Sequence, residues 1–108
     1  MSADLWVPKF KYVNLTASGD IVAAVAEKKI KVLALFVDEE ESDNDAILTL
    51  KTSSDGATLA QFTSFDVAPK TLPFSRVGWL ETVASDALYG TVVGAGPNLN
   101  INVVYVEV

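Results

Sequence analysis

The chain has 108 residues, with eight Lys and Arg against fourteen Asp and Glu, which is a formal net charge of −6. It contains no Cys and no His, which excludes disulfide scaffolds, thiolate nucleophiles, the usual zinc and haem sites and mechanisms that need an imidazole base. The acidic balance argues against nucleic acid and anionic membranes as partners, because proteins bind both mainly through Lys and Arg.

The N-terminal segment is predicted to be an extended arm that leads into a strand. Pro8 pushes the residue before it towards extended backbone, which disfavours a helix here. Residues 9–15 begin with alternation, so that Phe10 and Tyr12 face one side of the predicted strand and Lys9 and Lys11 face the other. The residues before this strand lack the basic region followed by an apolar region that is typical of a secretory signal peptide. We therefore expect synthesis in the cytoplasm without secretion.

Residues 21–26 and 30–37 are predicted to be the second and third strands. The first of these also fits a short helix capped by Asp20, because it is rich in alanine, but about ten residues are few for an independent helix. Residues 30–37 are apolar on both faces except at Lys31. This pattern predicts a central strand that is covered on both sides.

The middle of the chain carries a hairpin signal. Residues 46–52 alternate, with Leu48 and Leu50 on one face, and residues 57–62 form the next apolar segment. The Asp-Gly pair at 55–56 lies between them, and Asp-Gly between two strands is typical of a tight hairpin. We therefore expect these two strands to pair antiparallel.

The C-terminal half is predicted to supply three more strands. Pro69 and Pro73 make the segment between them a crossing rather than a central strand. Trp79, beside Gly78, is predicted to lie in the core, so that its replacement by Ala is expected to cost ~3–5 kcal/mol. The predicted strands are residues 78–83, 88–93 and 99–108.

These elements predict an all-β fold, a single-domain antiparallel β-sandwich that is jelly-roll-like and has about eight strands. The length fits one domain, and a quarter of the residues are Val, Ile or Thr, which favour strands. Residues 1–17 are expected to form the N-terminal arm and first strand, and residues 18–108 the body of the sandwich. The last strand is apolar on both faces, so it lies mid-sheet or presents one face to another subunit.

The acidic run at residues 38–45 is the most conspicuous local feature. Glu41, Asp43 and Asp45 have the spacing with which a calcium-binding loop opens, and Ca²⁺ prefers carboxylate oxygens. However, no Gly follows at the position of the sharp turn, and no acidic residue closes a twelve-residue loop. We therefore predict a solvated loop, with no bound metal and no other cofactor.

Six aromatic side chains are candidates for a sugar-stacking platform or for packing in the core and at interfaces. Packing is the predicted use, because it is typical of aromatic residues on strands. With no His, the common nucleophile-activation triads are excluded, and an enzyme is not expected. The six are Trp6, Phe10, Tyr12, Trp79, Tyr89 and Tyr105.

Three stretches give the sequence a family resemblance. They are residues 76–82 (Arg-Val-Gly-Trp-Leu-Glu-Thr) with their spacing to Leu88, residues 102–108 (Asn-Val-Val-Tyr-Val-Glu-Val), and residues 30–35 (Ile-Lys-Val-Leu-Ala-Leu) ahead of a loop and a second strand. Together they resemble the small β-sandwich virion proteins of tailed bacteriophages, in particular the capsid decoration or cement type. The resemblance covers most of the chain from about Ser18 onward.

The resemblance implies a structural protein, not an enzyme, on the outer surface of a phage head, made in the host cytoplasm. It implies the major capsid protein as partner and a homotrimer at three-fold or quasi-three-fold sites, with no nucleic acid and no membrane bound. The alternative is a phage tail or surface module that binds host glycan, with calcium in the acidic loop. The interface residues expected for the first function are Trp6, Pro8, Phe10, Tyr12 and Tyr105.

Overall fold

A computed structural model describes residues 7–40, 46–63, 65, 68–94 and 97–108. Within these ranges no helix is long and apolar enough to cross a membrane. The same residues form nine strands: β1 (Lys9–Leu15), β2 (Gly19–Val22), β3 (Ile30–Glu39), β4 (Ile47–Thr52), β5 (Thr58–Phe62), β6 (Lys70–Leu72), β7 (Leu80–Glu81), β8 (Leu88–Val93) and β9 (Leu99–Glu107).

The strands form one long antiparallel hairpin that is rolled up into two sheets. β4 and β5 form its tip, and the pairs β3 with β6 and β7, β2 with β8, and β1 with β9 follow along its arms. Rolling brings β9 beside β3 and β8 beside β4, which gives the sheet orders β1-β9-β3-β6 and β2-β8-β4-β5. This rolled double sheet is a jelly roll, so the predicted antiparallel β-sandwich is confirmed.

The core lies between the two sheets and is formed by alternate positions of their strands. In β4, Leu48 and Leu50 are fully buried, as their alternation predicts. β4 pairs with β5 across the Asp-Gly turn, which confirms the predicted hairpin. β9 lies between β1 and β3, so the last strand is central in its sheet.

The second half of β3 is covered on one face only. This differs from the prediction that residues 30–37 are covered on both sides. Its inward residues belong to the core, but Phe36 faces outward and is 42% exposed. The pairing with β9 shifts register around Leu33, so the regular alternation is interrupted there. The strand also continues through Asp38 and Glu39, which places the start of the acidic run inside the sheet.

Two other strands differ in extent from the prediction. β2 ends at Val22, and the chain then turns, with the backbone N–H of Lys28 donating to the carbonyl of Val25 at 3.0 Å. Neither a strand nor a helix therefore extends through residue 26. β6 lies between Pro69 and Pro73, where a crossing was predicted, and it is an edge strand, a position in which neighbouring prolines are tolerated.

Trp79 does not lie in the core, and that prediction is wrong. Gly78 has φ of +82°, a left-handed backbone conformation that interrupts the predicted strand, so that only Leu80–Glu81 remains as β7. Leu80 packs against the core, and alternation turns Trp79 outward, where it is 47% exposed. The indole Nε1 donates a hydrogen bond to the carbonyl of Pro73 at 2.7 Å.

Replacing Trp79 with Ala is expected to lower the free energy of unfolding by about 1 kcal/mol, because one hydrogen bond and a half-exposed ring are lost. Urea denaturation of wild type and variant measures the difference. Trp79→Phe is the matched control, since it keeps an aromatic ring and removes only the indole N–H. A loss of ~3 kcal/mol or more for Trp79→Ala would contradict the exposed position.

Candidate binding face

The outer face of the first sheet is the side of β1, β9 and β3 that is turned away from the core. Its residues alternate with the core residues of the same strands, so they stand in rows across the sheet. Read from β1 through β9 to β3, the apolar row is Phe10, Val104 and Ala34, the middle row is Tyr12, Asn102 and Phe36, and the polar row is Asn14, Asn100 and Asp38.

A shallow apolar cleft of about 270 Å³ lies over the apolar row. Ala34 and Val104 line it together with three phenylalanines, Phe10, Phe36 and Phe74, which are 83%, 42% and 58% exposed. Phe10 comes from the edge strand β1, whereas Phe74 follows β6 on the opposite side of the sheet. Large aromatic side chains with this exposure are candidates for contact with a partner.

The segment at residues 73–79, between β6 and β7, extends this apolar surface. Backbone hydrogen bonds of 2.8 Å from Ser75 to Leu33 and from Trp79 to Val32 attach the segment to the edge of β3. The segment also exposes Val77 at 79%. Phe10, Phe74, Val77 and Trp79 therefore lie toward the same end of the first sheet, and we call them the exposed apolar end; Phe10 and Phe74 share one cleft.

Asn14 and Asn100 of the polar row are hydrogen-bonded to each other and to Asn98 and Tyr12. The Tyr12 hydroxyl donates to Asn100 Oδ1 at 2.6 Å. The Asn14 amide Nδ2 donates to Asn98 Oδ1 at 2.7 Å and to Asn100 Oδ1 at 2.9 Å, with a longer contact to the Leu99 carbonyl. We call Tyr12, Asn14, Asn98 and Asn100 the amide cluster.

The charges on this sheet are distributed unevenly along its strands. β3 follows Lys29, contains Lys31 near its start and ends in Asp38 and Glu39, with Glu40 directly after it. The outward positions of the three rows contain one charged residue, the acidic one at the end of the polar row. The end of the sheet opposite the exposed apolar side chains is therefore its acidic end.

One ion pair joins the start of β1 to the end of β9. Lys9 Nζ lies 3.0 Å from Glu107 Oε2, and the hydrogen bond with this carboxylate, followed by its negative charge, raises the pKa of Lys9. Lys9 is on the opposite side of β1 from Phe10 and Tyr12, which is the separation that the alternation predicts. The ion pair thus lies away from the outer face.

The predicted interface residues are only partly brought together. Phe10 and Tyr12 share the outer face, and Pro8 is exposed directly before β1. Tyr105 is 8% exposed and packs in the core, so it does not join them. Trp6 lies outside the described residues.

The three calcium candidates, Glu41, Asp43 and Asp45, also lie outside the described residues. In the part of the chain that the structure covers, no group of three acidic side chains is placed to hold a metal ion. Among the described residues of the acidic run, Asp38 takes an outward position at the end of the polar row.

Sequence reasoning missed several residues of this face. Phe36 belongs to a run that was predicted to be buried on both sides, and Phe74 lies between the predicted crossing and the next predicted strand. The amides carried a usable signal, because Asn98, Asn100 and Asn102 alternate with apolar residues at a spacing of two. Such spacing on a strand predicts a row of amides on one face.

Comparison with known proteins gives no match, either to a protein-family model or to a curated protein. The fold class is therefore assigned from the strand order of the two sheets and not from a relative. The features that bear on function are the exposed apolar end and the amide cluster of the outer face.

Proposed function

We propose that the chain is a structural capsid decoration protein that binds the outer surface of a phage head and stabilises its shell. The partner is the major capsid protein, and the protein acts as a homotrimer at three-fold or quasi-three-fold sites. The role needs no catalysis. The resemblance of residues 76–82 and 102–108 to phage decoration proteins supports it, and so does the double-sheet jelly roll, an architecture found among viral capsid domains.

The observation that carries the proposal is the group of exposed apolar side chains at one end of the first sheet. Phe10, Phe74 and Val77 are all more than half exposed, and Trp79 is nearly so. Large apolar side chains gathered on the surface of a small domain favour a partner that covers them, because each is stabilised by leaving water. A shell of many identical subunits offers such a partner in many copies.

The distribution of charge supports an orientation for the bound protein. The acidic end of β3 is opposite the exposed apolar end, and the sequence continues there into further acidic residues. With the apolar end against the shell, the carboxylates of Asp38 and Glu40 stay in contact with solvent, whereas Glu39 is buried in either orientation. This orientation keeps these two carboxylates out of the interface, where they would be buried without a paired cation.

Attachment is tested by sedimenting the protein with phage heads prepared without it. We expect Phe10→Ser and Phe74→Ser each to weaken attachment at least about tenfold, because each removes an exposed aromatic anchor. Val93→Ser is the matched control, since Val93 is as exposed as Phe74, at 58%, but lies on β8 of the other sheet. Equal sedimentation of all three variants, or no sedimentation of the wild type, would contradict the proposal.

The proposed trimer is tested by light scattering during size-exclusion chromatography. Three copies of the 11.5 kDa chain give a mass of about 35 kDa. A mass of one chain across the concentrations used would contradict a trimer in solution. The sedimentation experiment would then show whether the copies bind to the shell individually.

A further inference from the structure

We propose that the middle row and the amide cluster form a binding site for a neutral saccharide. This site adjoins the exposed apolar end, because Phe36 and Asn102 also line the cleft with Phe10 and Phe74. It does not depend on attachment to a shell. It combines aromatic side chains with a few polar groups held in place, which is the usual composition of a small-molecule site.

The middle row supplies the ring faces. Tyr12 and Phe36 stand on β1 and β3, on either side of Asn102 on the intervening strand β9. Two strand spacings separate their backbones, which is about 10 Å, so a sugar ring over Asn102 can contact both aromatic side chains. Both rings are exposed, Tyr12 at 57%, and the Asn102 side chain is open to solvent between them.

The hydrogen bonds of the amide cluster determine which groups remain for a ligand. Asn100 Oδ1 accepts from both Tyr12 and Asn14, which uses its two lone pairs. The amide carbonyls of Asn98 and Asn100 are therefore turned into the cluster. Their Nδ2 groups have no hydrogen-bond partner among the described residues and remain as donors.

The cluster also keeps acceptors. Asn14 uses its Nδ2 within the cluster, so its Oδ1 is left to accept, and the Tyr12 oxygen keeps lone pairs after its hydroxyl has donated. Asp38, at the end of the polar row, adds a carboxylate acceptor beside Asn100. Sugar hydroxyls both donate and accept, so they match this mixture better than a group that only accepts.

Charge restricts the sugar to a neutral one. No Lys or Arg occupies an outward position of the three described rows, and Asp38 is the charged residue there. The chain as a whole carries a net charge of −6. An anionic sugar would meet repulsion without a compensating cation.

The test is an NMR titration of the full chain, labelled with ¹⁵N, with a panel of defined probes. The neutral probes are methyl glycosides of glucose, galactose, mannose and N-acetylglucosamine, together with maltotriose, cellotriose and chitotriose, and the anionic probe is N-acetylneuraminic acid. We expect at least one neutral probe to shift the side-chain amide signals of Asn98, Asn100 and Asn102, with a Kd of roughly 0.1–10 mM. We expect the anionic probe to leave them unchanged.

Variants assign the binding to this face. Asn100→Ala and Tyr12→Ala are each expected to weaken binding about tenfold, and Tyr12→Phe removes the hydroxyl alone if Tyr12→Ala does not fold. Tyr89→Ala is the control, because Tyr89 is an aromatic residue on β8 of the other sheet. Absence of shifts across the whole neutral panel, equal loss with Tyr89→Ala, or tighter binding of the anionic probe would overturn the proposal.

Discussion

Replacing Leu48 with Ala is expected to lower the free energy of unfolding by about 3–4 kcal/mol. Leu48 is fully buried between the sheets, so the change removes apolar contacts and leaves a cavity that its neighbours fill only partly. Urea denaturation followed by tryptophan fluorescence or circular dichroism measures the loss. A domain of this size has a total stability of ~5–15 kcal/mol, so the variant is expected to unfold at markedly lower urea.

Ile47→Ala is the matched control for this change. Ile47 is the neighbouring residue on β4 and faces the outside of the sandwich, where it is partly exposed. Its loss is expected to be well below that of Leu48, because fewer contacts disappear and no closed cavity forms. Equal losses of stability at the two positions would contradict the alternation of buried and partly exposed residues along β4.

Replacing Gly90 with Ala is expected to destabilise the fold by about 1–3 kcal/mol through overpacking. A Cβ atom at this position of β8 would lie 3.0 Å from Leu15 Cδ1, 3.1 Å from Ile21 Cδ1 and 3.2 Å from Leu48 Cδ1. All three are core side chains from different strands, so a small movement of one does not make room. Denaturation of the variant under the conditions used for Leu48→Ala measures the cost.

The double variant Leu48→Ala, Gly90→Ala distinguishes overpacking from other causes. The added methyl group enters space that Leu48 has vacated, so the combined loss is expected to be smaller than the sum of the two single losses by roughly 1 kcal/mol. Additive losses would mean that the cost at Gly90 does not arise from contact with Leu48.

Alternation along single strands was sufficient to predict part of the candidate face. The pattern at the start of β1 places Phe10 and Tyr12 together, and the structure places them on one side of that strand. The pattern in β4 places Leu48 and Leu50 together in the same way. These predictions succeed because the direction of successive side chains depends only on local backbone geometry.

The predictions of burial failed for residues whose exposure depends on whether another part of the chain packs over them. Phe36 belongs to an apolar run and Trp79 to an apolar segment, and both were expected to be covered, yet both are partly exposed. An apolar residue on the outer face of a sheet has the same sequence signature as one in the core. Only the packing of the second sheet against the first decides which of the two it is.

The sequence by itself determined that the chain is all-β, that β4 and β5 form a hairpin and that thiol and imidazole chemistry is absent, because these follow from composition and short-range patterns. The tertiary structure alone decided which residues share a site. The hydrogen bonds of Asn14 join it to Asn98 and Asn100, 84 and 86 residues further along the chain. The pairing of β1 with β9 brings these three residues together. Two strands so far apart in the chain pair because the whole hairpin rolls up, and no local sequence pattern encodes that rolling.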